Sequence, residues 1–183
     1  MQLFDREGIL KRLRMLDDDL LSIVSDGDRA EITIVGGSAL ILLGITPDTR
    51  VTTDVDVMET AIQAERLLSK YDMNDEVETF AYRLPEHWRN RRQKIPFDGA
   101  AIDVYTPSNE DLAILKLYAY RDIDIMDLHD MVRSNSLDFE VLQSIINDDA
   151  ELRINFNSED EWQVFLEHFK ELLAFGRSQG ASE

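Results

Sequence analysis

The sequence predicts an α+β fold, in which a mixed β-sheet with flanking helices precedes a helical C-terminal part. Short β-branched runs alternate with amphipathic segments in the first half of the chain, as expected when strands and helices pack in layers. The pair Asp98-Gly99 lies between two short β-like segments and is typical of a hairpin turn. Helical periodicity follows. We therefore expect an α/β core over residues 1–107 and a helical part over residues 108–183 packed on that core.

The elements of the predicted core follow from the spacing of apolar residues. The segment 4–24 places apolar side chains, including Ile23, at steps of three and four residues, which is the pattern of one buried helix face. The run at 32–35 is β-branched and stops at Gly36-Gly37. The predicted elements of this part are a helix at 4–24, a strand at 32–35, a helix at 38–43, a strand at 52–58, a helix at 61–71 and a strand at 76–83.

The later elements are predicted from cap residues as well as from periodicity. Ser158 followed by Glu161 forms a capping box, which starts a helix with an apolar stripe. Ser108 followed by Asp111 resembles the same arrangement. The remaining predicted elements are hairpin strands at 93–97 and 100–105, and helices at 109–120, 124–133, 139–146 and after Ser158.

Composition and charge exclude several classes of protein. Apolar residues make up 44% of the chain, which is enough for a folded core, and no apolar run reaches the roughly 18 to 20 residues that cross a bilayer. We expect a cytoplasmic protein with no membrane partner. The formal charge of -18 argues against broad, sequence-independent DNA binding, which depends on lysine and arginine.

A basic segment offers a local exception to this charge. Arg89, Arg91, Arg92 and Lys94 could form a nucleic-acid patch or a solvated surface edge. Trp88 lies in the same segment and is expected to pack beneath it.

Two aspartates point to a metal site. The chain has no cysteine and its three histidines are scattered, so any metal ion must be held by oxygen ligands. Side chains alternate along a strand, so Asp54 and Asp56 should point the same way and share one small volume. Two carboxylates this close repel each other unless a cation lies between them, and such ligands suit magnesium.

A glycine pair precedes these acids in the chain. Gly36-Gly37 ends a strand and leads into a helix whose first turn begins at Ser38, so backbone N–H groups can approach a phosphate closely. Alone, Gly-Gly is often a plain turn, and Asp-x-Asp is often two solvated acids at a strand end. Their combination in this order favours neighbouring metal and phosphate sites.

Two motifs follow each other in this stretch, Gly36-Gly37-Ser38-Ala39 with Gly44, and then Arg50-x-Thr-x-Asp54-x-Asp56. They resemble the signature of the polymerase-beta-like nucleotidyltransferases, and among these the small minimal nucleotidyltransferases and abortive-infection toxins. The likeness covers about residues 32–131. It implies a nucleotidyltransferase-like mixed sheet.

The resemblance implies a two-metal nucleotidyl transfer from a nucleoside triphosphate. Asp54 and Asp56 would hold the magnesium ion on the triphosphate. Asp103 resembles the third carboxylate, which helps a second ion to activate the acceptor hydroxyl. In-line attack on the α-phosphate would release pyrophosphate.

The resemblance also implies which residues bind the triphosphate tail. Gly36, Gly37 and Ser38 would contact it, and Lys116 or Arg121 would offset its charge.

The helical residues around these two cations allow alternatives. Lys116 lies among apolar residues, so it either extends to solvent along its methylene stem or points into a cleft. Asp124 and Asp127 lie on one helical face, where they could hold Arg121 in place or cap and solubilise the helix.

We expect an enzyme that moves a nucleoside monophosphate from a nucleoside triphosphate to a hydroxyl on RNA, a protein or a small molecule. The resemblance also suggests a component of a toxin–antitoxin system, with an antitoxin as partner. The alternative is a non-catalytic nucleotide-binding or partner-binding subunit of the same fold. The intact pair Asp54 and Asp56 counts against this alternative, because a scaffold has no need for two acids on one strand face.

Overall fold

The computed structural model describes residues 3–24, 28–74 and 83–180. The chain divides into two units, the first comprising Met1–Thr79 and Arg92–Pro107, and the second comprising Phe80–Arg91 and Ser108–Glu183. A mixed sheet belongs to the first unit and the C-terminal region is helical, so the predicted α+β class is confirmed. Within the described ranges, no helix has an apolar stretch long enough to cross a membrane.

The sheet of the first unit is built around a central strand. Its described strands are β1 (Ala30–Ile34), β2 (Val55–Thr60), β3 (Met73–Asn74), β4 (Gln93–Lys94) and β5 (Ile102–Thr106). They lie in the order β3-β2-β1-β5-β4, with β1 antiparallel to β2 and parallel to β5. The antiparallel pairing of β4 with β5 confirms the predicted hairpin, although β4 is shorter than expected.

The first helix, α1 (Arg6–Leu20), buries the apolar stripe that its spacing predicts. It ends at Leu20 and not at residue 24, and the chain beyond it forms a turn in which the amides of Ile23 and Val24 share the carbonyl of Leu20. The prediction that Ile23 belongs to the buried stripe is wrong, since 51% of this residue is exposed.

The second helix, α2 (Gly36–Leu43), begins at the glycine pair itself. The predicted start at Ser38 is wrong by two residues, because the expected turn is already the first turn of the helix. Gly36 enters it with φ of 67°, a backbone region in which a Cβ would crowd the following carbonyl. The helix ends as predicted, where Gly44 adopts φ of 70°.

The other elements of the first unit differ little from expectation. The helix α3 (Ile62–Leu68) continues into a 3₁₀ turn, and α1 packs on both α2 and α3. The strand β2 begins at Val55, so Asp54 lies just before it. The predicted strand at 76–83 falls outside the described residues except for Arg83, which lies in a turn.

The described helices of the second unit are α4 (Trp88–Arg91), α5 (Asn109–Ala119), α6 (Asp122–Arg133), α7 (Phe139–Asp148), α8 (Ala150–Ile154) and α9 (Glu159–Ser178). The four longer ones confirm the predicted helices. Ser158 caps α9 as predicted, with its hydroxyl accepting a hydrogen bond from the Glu161 amide at 3.1 Å. The short helices α4 and α8 were not predicted, because one turn of helix shows no periodicity.

A buried arginine organises the core of the second unit. Arg83, only 1% exposed, donates to the hydroxyl of Tyr118 at 2.7 Å and to the carboxylate of Glu161 at 3.3 Å. It also donates to the carbonyl of Asn155. Its guanidinium lies over the Tyr118 ring, 4.1 Å from the centroid, and Phe156 packs edge-on against the same ring. These partners offset the desolvation of the buried charge.

Asp17 ties α1 to the start of β5. Its buried carboxylate accepts hydrogen bonds from the amides of Ala100 at 2.9 Å, Ala101 at 2.8 Å and Ile102 at 2.9 Å. A Cβ built on Gly99 would stand 2.6 Å from the same carboxylate, so the turn before β5 passes close to the acid. One side chain therefore fixes where β5 begins.

Asp17→Asn is expected to destabilise the protein, because the side-chain amide turns N–H groups towards three donors. We expect the free energy of unfolding to fall by about 1.5 to 3 kcal/mol, the usual contribution of a hydrogen bond to a charged group. Urea denaturation measures the change. Asp18→Asn, at an exposed position next to it on α1, is the matched control, and equal stability of the two variants would contradict the proposed tie.

Candidate functional site

The start of α2 and the start of β2 lie against each other. The amide of Val35 donates to the carbonyl of Asp56 at 2.9 Å, which joins the end of β1 to β2 just before the helix. A Cβ built on Gly36 would stand 2.7 Å from Oδ2 of Asp56, closer than real Cβ contacts come. The half-exposed carboxylate therefore lies against bare backbone at the N-terminus of α2, where the helix dipole favours negative charge.

The neighbouring glycine faces other side chains. A Cβ built on Gly37 would stand 3.2 Å from Nη2 of Arg50 and 3.9 Å from the hydroxyl of Thr52. Oδ1 of Asp54 in turn accepts from Thr52 at 3.4 Å and from Thr53 at 3.3 Å. A chain of contacts thus leads from the first turn of α2 to the second acid.

Of the predicted site residues, Asp56 lies against Gly36, and Asp54 is linked to the same turn through Thr52, whose hydroxyl would stand 3.9 Å from a Cβ on Gly37. Strand alternation alone would not guarantee this, because Asp54 precedes the strand.

The loop that carries Arg50 and Asp54 is fixed at two points. The Arg50 amide donates to the carbonyl of Pro47 at 2.8 Å. Thr52 exchanges two backbone hydrogen bonds with Phe4, at 2.7 and 2.9 Å, and Phe4 is buried. A residue from before α1 thus holds the loop. No local signal in the sequence indicates this pairing, because the two partners lie far apart in the chain.

Ser38 lies in the first turn of α2, but its side chain faces inward. Its hydroxyl is buried and donates to the carbonyl of Val35 at 2.9 Å. The hydroxyl is therefore engaged by the residue that caps its own helix, so contact of Ser38 with a triphosphate is left to its backbone. The backbone amide of Ser38 belongs to the first turn, where amides have no intrahelical acceptor.

Asp103 lies elsewhere on the sheet. It is paired with Glu31, near the start of β1. Asp56 is bonded to Val35, just past the end of that strand. Four residues of strand span about 13 Å, so the register places Asp103 well away from Asp56, whereas carboxylates that share a metal site lie close together. Among the residues that the structure describes, no group of three or more acidic or histidine side chains is arranged to hold a metal ion.

Two cations hold Asp103 in its place. Nε of Arg29 and Nζ of Lys94 each lie 2.9 Å from its Oδ1. The hydrogen bond from Lys94 lowers the pKa of Asp103, burial opposes this effect, and Arg29 adds to the lowering. The acid thus forms part of an ion-pair cluster that links β4 to β5.

Lys116 is buried between two acids of the second unit. Its Nζ lies 2.6 Å from Oδ2 of Asp127 and 3.3 Å from Oδ1 of Asp124. All three side chains are almost fully buried. Lys116 neither extends to solvent nor points into an open cleft. It lies on α5, and its charge is neutralised by the two acids on α6.

Arg121 is the N-cap of α6, and 72% of its side chain is exposed. Its Nε donates to Oδ2 of Asp124 at 2.7 Å. Burial raises the pKa of Asp124, but the hydrogen bond from Arg121 and the charge of Lys116 outweigh it, so the pKa is lowered. The same carboxylate accepts from the Arg121 amide at 3.2 Å as the N3 residue of a capping box, so Asp124 both holds the Arg121 side chain and caps α6.

Acids pair with three of the four cations in the basic segment, Arg91, Arg92 and Lys94. Arg91 forms two hydrogen bonds with the buried Asp111, at 2.7 and 3.1 Å. Arg92 lies 2.7 Å from the carboxylate of Glu31, and Lys94 is bound as described above. These pairs favour a structural role for the segment over a nucleic-acid patch.

The sequence as a whole matches a family of proteins. A family model described as a nucleotidyltransferase of unknown function (DUF6036) matches residues 11–174. The match begins within α1 and ends within α9, so it includes the C-terminal helices, in which no motif was found. The description agrees with the reaction class that the motifs suggest. No curated protein and no solved structure matches the chain.

Gly36→Ala is expected to lower the free energy of unfolding by at least about 1 to 2 kcal/mol, the cost of a left-handed backbone for a residue with a Cβ. The new Cβ would also displace the carboxylate of Asp56. Urea denaturation measures the loss. Gly37→Ala is the matched control, since Gly37 has no positive φ, and equal losses for the two variants would contradict the account.

Asp103→Asn is expected to remove a pH-dependent part of the stability. The ion pairs lower the pKa of the folded carboxyl below its ordinary value of 3.8. They therefore stabilise the folded state above that value, and this contribution is lost as the pH falls through the lower folded pKa. The difference in unfolding free energy between wild type and variant should be larger at neutral pH than near about pH 3. A difference that does not change with pH would contradict this.

Proposed function

The chain belongs to the family of nucleotidyltransferases of unknown function (DUF6036). We propose that it transfers a nucleoside monophosphate from a nucleoside triphosphate to an acceptor hydroxyl, with magnesium as cofactor. The acceptor oxygen attacks the α-phosphorus and the bond from that phosphorus to the bridging oxygen breaks. Pyrophosphate and the hydroxyl proton are released.

The observation that carries the proposal is the carboxylate of Asp56 against Gly36. The glycine occupies a backbone region that is unfavourable for other residues, and the space without a Cβ is filled by an acid. Asp54 lies two residues earlier in the chain and accepts a hydrogen bond from Thr52, whose hydroxyl faces Gly37, so a second acid is linked to the turn whose amides can bind a phosphate. Such an arrangement suits a cation that bridges the acids and a phosphate.

The side chains around this point fit one magnesium ion. Magnesium is held in nucleotide sites by one or two carboxylates together with substrate phosphates and water, and Asp54 and Asp56 supply two carboxylates. When bound, the ion would offset the triphosphate charge and polarise the reacting phosphate. A second ion would need a further carboxylate. Because Asp103 is held by Arg29 and Lys94, we do not assign it to the metal site.

The remaining tasks fall to the first turn of α2 and to the loop before β2. The amides of Gly36, Gly37 and Ser38 would bind triphosphate oxygens, while the Ser38 hydroxyl stays bonded to Val35. The loop is fixed by its bonds to Phe4, so Asp54 is positioned before the substrate arrives. Groups that are already oriented need little reorganisation during the reaction.

A screen tests the activity directly. The protein is incubated with magnesium, each labelled nucleoside triphosphate and cell extract, and the label is followed into RNA, protein and small-molecule fractions. The labelled fraction identifies the acceptor class. Nucleotide binding without any transfer would favour the non-catalytic subunit, and a protein that neither binds nor transfers any nucleotide would refute the proposal.

Asp54→Asn combined with Asp56→Asn is expected to abolish transfer and to leave the fold intact. The change removes the repulsion between like charges and keeps the side-chain shapes, so the melting temperature without metal should not fall. Transfer assays and thermal melts, with and without magnesium and nucleotide, measure both effects. Glu59→Gln replaces an acid farther along β2 and should retain transfer.

The opposite pattern of melting would indicate a structural role for the two acids. A hydrogen bond to a charged group contributes about 1.5 to 3 kcal/mol, so losing several would lower the melting temperature of the double variant clearly. If the wild type also gained no stability from magnesium and nucleotide, the catalytic proposal would be abandoned.

A further inference from the structure

We infer that Arg12, on α1, is a positioning residue that holds Asp54 in place for magnesium and the triphosphate. The inference rests on the proposed function, because it assigns a further residue to the same site. Arg12 belongs to the helix that precedes the stretch resembling the nucleotidyltransferases, and none of the motifs includes it. Its contacts with two separate parts of the chain support the role.

The position of Asp54 is not fixed by the regular hydrogen bonding of the sheet. The strand β2 begins one residue later, at Val55. The carboxylate of Asp54 accepts two long hydrogen bonds, at 3.4 Å from the Thr52 hydroxyl and at 3.3 Å from the Thr53 hydroxyl. Hydrogen bonds of this length are weak. The position of the acid therefore depends on how the chain is held on either side of it.

The chain is anchored on both sides of Asp54. On one side, Thr52 exchanges two backbone hydrogen bonds with Phe4, at 2.7 and 2.9 Å. On the other side, the amide of Val55 donates to the carbonyl of Asp72 at 3.4 Å. The acid therefore lies between two anchor points, and the partners at these points come from different parts of the chain.

Arg12 contacts both of these partners. Its guanidinium lies over the Phe4 ring, with Cζ 3.4 Å from the centroid, and its Nη2 lies 3.0 Å from Oδ2 of Asp72. The side chain is only 11% exposed, and its Nη1 donates to the carbonyl of Gly8 in the same helix at 3.2 Å. A planar guanidinium can stack on a ring and bind a carboxylate at the same time. One side chain on α1 therefore links the two anchor points beside Asp54.

Stability alone does not account for an arginine at this position. Its Nε is buried, and it has no hydrogen-bond partner among the residues that the structure describes, which costs free energy. The side chain of Asp72 is 62% exposed, and an exposed ion pair contributes little. An apolar side chain would pack on Phe4 without burying a charge. Buried polar groups that reduce stability are expected where they serve function.

Hydrogen exchange of the metal-free protein tests whether Arg12 holds the two anchor points. The amides to follow are those of Phe4, Thr52 and Val55. In Arg12→Gln all three should exchange about tenfold faster, because the stacked cation and the charged hydrogen bond are lost. The amide of Ile102, at the start of β5, is the internal reference and should keep its exchange rate. An equal acceleration at Ile102 would indicate general destabilisation and would refute the inference.

The magnesium dependence of nucleotidyl transfer tests the effect on the site itself. If Asp54 is displaced, the ion binds less well. Arg12→Gln should therefore raise the magnesium concentration that gives half the maximal rate by about tenfold, as for other groups that orient metal ligands. A loss of folded protein alone would lower the maximal rate and leave that concentration unchanged. Arg12→Lys should recover part of the change, because it keeps a cation beside Asp72 but lacks the planar group over Phe4.

A second variant reaches the same contact from its exposed end. Asp72→Asn removes the carboxylate that binds Arg12, and asparagine tolerates the φ of 54° at this position. The variant should raise the half-saturating magnesium concentration by a smaller factor than Arg12→Gln. The two changes combined should be less than additive, because both act on one contact.

Lys70→Gln is the matched control. Lys70 lies in the 3₁₀ turn that precedes Asp72, and it pairs with Asp19 on α1, so its ion pair joins the same two parts of the chain. It has no contact with Phe4 among those described. Lys70→Gln should therefore change neither the exchange of the three amides nor the magnesium dependence.

The outcomes separate this inference from the proposed function. If the wild type transfers nucleotide with magnesium and Arg12→Gln changes only one of the two measurements, or neither, the role of Arg12 is refuted and the proposed function stands. If Lys70→Gln matches the effects of Arg12→Gln, the specific contacts are refuted as well. A wild type that transfers no nucleotide refutes the proposed function, and the inference is refuted with it.

Discussion

The close approach of the Asp56 carboxylate to Gly36, which has no side chain, is the constraint on which the candidate site depends. Gly36 turns into α2 with φ of 67°, and Asp56 occupies the space where a Cβ would lie. The end of β1, the start of β2 and the first turn of α2 can approach this closely because one position carries no side chain. The second acid and the arginine over Gly37 are arranged around that point.

Two long-range ties hold the surrounding strands. Phe4 pairs with Thr52 and fixes the loop before β2, while Asp17 binds the amides that lead into β5. Both ties begin in or just before α1 and end on parts of the chain that are distant in sequence. The strands on either side of β1 are thus anchored to one helix region. A polar site benefits from such anchoring, because oriented dipoles and charges stabilise a reacting group only if they are already in place.

Local signals in the sequence were sufficient for most elements and for part of the site. Apolar periods, the glycine pair and the cap at Ser158 depend on near neighbours in the chain, and these elements lie close to where they were predicted. The distance of Asp103 from the acid pair depends instead on strand register, which its own sequence does not encode. Lys116 is paired with acids on the next helix, and the guanidinium of Arg50 lies beside Gly37. A sequence motif does not predict contacts between side chains on different elements of the fold.

The second unit is assembled from two separate stretches of the chain. Arg91 in the earlier stretch pairs with the buried Asp111 in the later one, and β4 and β5 of the first unit lie between them in sequence. During translation Arg91 therefore leaves the ribosome before Asp111. The strand β5 is synthesised between the two residues. For the same reason, exchanging the helical unit between two related genes would require three crossover points. One lies after Pro107, and the other two lie at the ends of the earlier stretch, Phe80–Arg91.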